Sequence, residues 1–174
     1  IESVGRPPQV DLALRLPMSD SASRKLASWW ASILDGKDGL LASAVGAPGL
    51  ARSWSAAVVG PEKNPALAVS LVSSDAALDS AVAQARGLFD RLRQGAVTQA
   101  DLAQAAQRRS KSALTASMDP RARLVALWTG ASDADGPPTL DALKAFAAST
   151  FKDDALVIVA ARPPRLEESR EKTP

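Results

Sequence analysis

RSWSAAVVGPEKNPALAVSLVS, residues 52–73, sets the fold class. Its two ends, Arg52–Val59 and Ala66–Ser73, are runs of small and β-branched apolar residues and read as strands. Gly60, Pro61, Asn64 and Pro65 punctuate the stretch between them. Parallel strands need a crossover of about a dozen residues or more. Residues 60–65 are too few for that, so the pair is an antiparallel hairpin.

Upstream, Gln9–Leu16 (QVDLALRL) alternates strictly, with Val10, Leu12, Leu14 and Leu16 on one side. That is a half-buried strand. A helix follows from Asp20 or Ser21 to about Leu34, with Leu26, Trp29, Trp30 and Ile33 at helical spacing and Gly36 as its stop. Gly39–Val45 (GLLASAV) is a short apolar turn closed by Gly46, Pro48 and Gly49.

Downstream, Ser74 or Asp75 opens a helix to Gly95 with the stripe Leu78, Val82, Ala85, Phe89 and Leu92. Thr98 and Asp101 form a capping box for a helix that reaches Met118. Asp119-Pro120 opens another, carrying Leu124, Val125, Leu127 and Trp128. After the loop Gly130–Pro138, Thr139 caps a helix with Leu140, Leu143, Phe146 and Ala147 on one side. Ala155–Ala161 (ALVIVAA) is continuously apolar, the pattern of a strand buried on both faces. Strands and helices mix without βα alternation. The expected fold is therefore α+β: a mixed or antiparallel sheet of about four or more strands against several helices. Residues 1–8 read as an arm, 9–163 as a single domain and 164–174 as a polar tail.

The 174 residues contain no His and no Cys. This excludes disulfides, thiol catalysis, His-based acid–base chemistry and an ordinary zinc site. Asp153-Asp154 and Glu167-Glu168 are adjacent pairs, and neighbours on a strand or helix point apart, which is unsuited to chelation. Without His, a Ser nucleophile needs a Lys base. Ser110-Lys111-Ser112 are consecutive helix residues that do not face one another. Gly36-Lys37-Asp38-Gly39 lacks the glycines and the Lys-Ser/Thr of a phosphate loop.

Lys and Arg number 21 against 19 Asp and Glu, a net charge of +2 with pI ≈ 9.2. Basic residues are interleaved with acidic ones, and the densest run, Arg108, Arg109 and Lys111, reads as a solvated helix face. Trp54 is the sole aromatic in a predicted strand, so there is no stacking platform and no nucleic acid is expected as a partner. No apolar run reaches the ~20 residues of a transmembrane segment. The chain opens at Ile1 without a charged-then-apolar leader, as a processed product or a piece of a longer chain does.

Four words in fixed order carry a family resemblance. Gln9–Pro17 (QVDLALRLP), Leu26–Gly36 (LASWWASILDG) and Gly39–Leu41 resemble the strand, helix and turn of the insulinase/pitrilysin/mitochondrial-processing-peptidase zinc metallopeptidases. Gly49–Ala56 (GLARSWSA) resembles their GLAYSVSA word. Leu88–Leu102 (LFDRLRQGAVTQADL) is similar to their helix–turn–helix, and Thr139–Phe151 with Asp154–Val159 to their closing helix and strand. The match runs from about Val10 to Pro163.

The resemblance implies a clamshell of homologous α+β halves in a processing-peptidase-like architecture. One half carries an inverted His-x-x-Glu-His zinc motif. This chain has none, so the resemblance makes it the non-zinc-binding, C-terminal type of half. It implies a homologous zinc-bearing domain or subunit as partner, zinc in that partner and none here, and a peptide substrate. The periplasm of a bacterium is the compartment it favours over the cytoplasm. By the same resemblance, Arg52 and Trp54 stand on the chamber side and are the candidate substrate-binding residues; no residue is catalytic. Arg52 replaces a Tyr of many members, and Pro48 replaces a basic residue. The alternative is a catalytically dead scaffold or interaction subunit of the same fold.

Overall fold

The computed structural model describes residues 7–16, 21–61, 64–121, 124 and 136–162. In chain order the elements are β1 (Gln9–Arg15), α1 (Ser21–Leu34), β2 (Ser53–Val59), β3 (Ala66–Val72), α2 (Leu78–Arg93), α3 (Gln99–Met118), α4 (Leu140–Thr150) and β4 (Leu156–Ala161). The predicted α+β class holds, and every strand pairing is antiparallel.

The strand order is β2-β3-β1-β4. The alternation of β1 sends Val10, Leu12 and Leu14 to the helix side, where all three are buried. Their register partners continue the same rows: Trp54, Leu71, Val10 and Ala160 form one, and Ala56, Val69, Leu12 and Ile158 the next. Helices cover this face. Trp30 of α1 lies edge-on to Phe151, ring centroids 5.0 Å apart, and donates its indole N–H to Leu143 O of α4 at 3.3 Å. Phe89 of α2 completes the aromatic cluster against Phe151. Both Trp29 and Trp30 are buried. On the other face, rows such as Ala57, Ala68, Ala13 and Val157 are uncovered or half-covered.

Helix ends follow local chemistry. The Thr98 hydroxyl accepts from Asp101 N, and Asp101 accepts from Thr98 N at 2.8 Å, so the capping box is complete on both sides. Thr139 Oγ1 accepts from Ala142 N at 3.2 Å. The apolar turn after α1 closes as a single π-helical turn, Ala42–Gly46, with Ala47 N donating to Ala42 O at 2.7 Å.

Two expectations are corrected. The helix predicted from Ser74 or Asp75 begins at Leu78, because residues 74–77 close a turn through Ala77 N to Ser74 O. The apolar run at the end is not buried on both faces. β4 is the outermost strand beside β1, and Val157 and Val159 are 59% and 60% exposed. An apolar run fits an uncovered edge as easily as a doubly covered centre. Of the helix predicted after Pro120, Leu124 is helical and exposed. Val125, Leu127, Trp128 and the loop to 135 lie outside the described residues, as do residues 1–6 of the arm and everything from 163 on.

Candidate functional site

Arg52 and Trp54 stand at the start of β2. Arg52 N donates to Val72 O at 2.7 Å and so joins the ladder one residue before the strand. Its side chain is exposed and makes no hydrogen bond or ion pair among the described residues. Trp54 is half-buried on the helix side. Its indole N–H donates to Gly36 O at 3.1 Å, and its six-membered ring lies on Gly46. The two side chains are thus engaged differently: the guanidinium faces solvent, and the indole packs on the loop after α1.

Beside this corner, α1 and α3 enclose a cleft of about 440 Å³ lined by Ser32, Asp35, Gly36, Arg108, Arg109, Ser112 and others. Arg108 and Arg109 are half-buried here, not part of a solvated face. Arg108 donates to Ser32 O at 2.7 Å. Arg109 reaches the Ser28 hydroxyl at 3.0 Å and the Ser32 hydroxyl at 3.2 Å, and its guanidinium sits 4.5 Å from the Trp29 ring centroid. Cations at the carbonyl end of α1 complement its dipole. Spacing offered one clue to this: Ser28 and Ser32 are four apart and share a face of α1. Lys111, by contrast, is exposed.

Ser110, Lys111 and Ser112 are exposed in succession and do not hydrogen-bond one another. Among the described residues no three His, Cys, Asp or Glu side chains gather into a group able to hold a metal ion. Asp153 lies in a short 3₁₀ turn and pairs with Arg86 at 3.2 Å. No helix of the described chain is long and apolar enough to cross a membrane.

Solved structures share this arrangement of four antiparallel strands with helices on one face. The inactive peptidase domain of a proposed zinc protease from Bordetella parapertussis superposes with a TM-score of 0.75 at 18% identity, over 95% of this chain and 98% of that domain. The fold is that of an M16 peptidase half. The inactive M16 peptidase domain from Pseudomonas fluorescens matches with a TM-score of 0.69 at 18% identity, over 91% of this chain and 42% of the other. Pitrilysin matches with a TM-score of 0.62 at 16% identity, over 89% of this chain and 18% of its own. No family model matches the sequence, and no curated protein does. The M16 fold therefore agrees with the resemblance carried by the four sequence words, and two of the matched structures are themselves inactive domains.

Proposed function

We propose that this chain is the non-catalytic half of an M16-type zinc metallopeptidase, closing over a peptide held by a zinc-bearing half. One observation carries the reading: an M16 peptidase fold with neither His nor Cys anywhere in its sequence. Such a half cannot activate water on zinc. It contributes walls and a closing surface, and the zinc belongs to the partner domain. Arg52 is the substrate contact in this reading. It is exposed, free of partners among the described residues, and presents a planar fork of donors suited to a peptide carbonyl or carboxylate. Trp54 sets the position of that strand end through its bond to Gly36.

The test pairs this chain with a His-x-x-Glu-His domain from its full-length parent or a neighbouring reading frame. Expected are peptide cleavage by the pair, none by this chain alone, and a loss of about tenfold in kcat/KM for Arg52→Ala, roughly 1.4 kcal/mol. One tightly held zinc per copy of this chain would overturn the reading, and unchanged turnover for Arg52→Ala would remove the contact. The second reading, an interaction subunit with no peptidase in its assembly, draws on Arg52 standing where many members carry Tyr. It is favoured if the full-length parent and its neighbours lack the zinc motif.

A further inference from the structure

We propose that the edge of β4 left unpaired among the described residues pairs with the same edge of a second copy of this chain. Natural edges are blunted by charge, proline or a bulge, because unpaired backbone groups template further strands. β4 has none of these. Leu156–Ala161 is LVIVAA, without charge, Gly or Pro. Its register with β1 is unbroken from Leu14↔Leu156 to Gln9↔Ala161, so no bulge turns the edge away. Ile158 faces the helix side yet is 37% exposed.

The flanking charges select the occupant and the register. Asp153 and Asp154 precede the strand and Arg162 follows it. Parallel alignment of two copies would set like ends together. Antiparallel alignment about a two-fold axis exchanges them. Matching helix side to helix side requires one residue to face its own copy, and centring on Ile158 puts Val157 across from Val159 of the second copy. The acidic end, where Asp154 is exposed and without an ion pair among the described residues in the short 3₁₀ turn before the strand, then lies toward the basic end of the second copy at Arg162. Arg162 is 39% exposed on its side chain and already bonds Asp79 and Asp75. Its guanidinium has donors to spare for a further carboxylate. The product is a continuous eight-stranded antiparallel sheet.

Sedimentation of the full chain over a concentration series, with cysteine cross-linking, tests this. Wild type is expected to dimerise reversibly, and Val159→Lys to raise the dissociation constant at least about tenfold. Far-UV dichroism and Tm of the Val159→Lys monomer should be unchanged, since the side chain is exposed. Val59→Lys, on the opposite edge, should leave dimerisation intact. The chain has no Cys, so Ile158→Cys introduces the sole thiol. Opposed antiparallel residues lie about 4.5–5.5 Å apart at Cα, inside disulfide reach, so Ile158→Cys should cross-link faster than Val159→Cys. A chain that stays monomeric to about millimolar concentration overturns the proposal. So does a dimer weakened by Val59→Lys and indifferent to Val159→Lys. Faster cross-linking through Val159→Cys overturns the register.

Discussion

A Cβ placed on Gly46 would stand 2.4 Å from Cη2 of Trp54, well inside van der Waals contact. The π-helical turn therefore brings its backbone flat against the indole, and only glycine permits the approach.

Gly46→Ala is accordingly expected to push Trp54 aside and break its bond to Gly36 O. Overpacking of this kind costs about 1–3 kcal/mol. Urea unfolding should show a lower midpoint with an unchanged slope, and tryptophan fluorescence should shift. Gly87 has open space around its Cβ position, so Gly87→Ala in mid-helix is the contrasting control and should not destabilise.

Arg109→Ala removes the cover of Trp29 and two hydroxyl bonds to α1 together. A loss of about 1–2 kcal/mol follows from the cation–π and charge-assisted contributions. Arg109→Lys should recover only part of it, because an ammonium cannot span both serines while lying flat on the ring. Differential scanning calorimetry of the pair distinguishes packing from charge.

Thr98→Ala deletes one half of a complete capping box and should lower stability by about 1 kcal/mol. Thr98→Ser should retain nearly all of it. Chemical denaturation of the two variants checks this. Trp30→Phe keeps much of the apolar volume and removes the indole bond to Leu143 O, a carbonyl that stays within the helical ladder of α4, so a loss of about 0.5–1.5 kcal/mol is expected by the same denaturation measurement.

The elements that sequence made legible are those dictated by neighbours in the chain. Val10, Leu12 and Leu14 alternate, Thr98 and Asp101 sit three apart, and residues 60–65 are too few for a crossover, so strand, cap and hairpin were all readable. What depended on distant partners was not. LVIVAA has the same composition at the centre of a sheet as at its rim, and only the pairing with β1 alone makes it a rim. Ser74 and Asp75 are good caps, but the chain closes a turn there before α2 begins. Arg108 and Arg109 read as surface charge until the crossing of α1 and α3 sets Ser28 and Ser32 beneath them. For the candidate site, the β2 spacing put Arg52 and Trp54 two residues apart. It carried no information on Gly36 and Gly46, which hold the indole.

Three carbonyls, those of Ser28 and Ser32 in the last turns of α1 and of Gly36 two residues past its end, receive Arg109, Arg108 and Trp54. Helix ends ordinarily fray, exchanging their amide protons long before the rest of the molecule opens. This one is moored to both a strand and another helix. The amide of Asp35, bonded to Ala31 O at 2.9 Å, should therefore exchange with deuterium as slowly as the middle of the sheet. α1, α3 and the start of β2 would then open as one cooperative unit, so a lesson learned from exchange at Asp35 applies to all three.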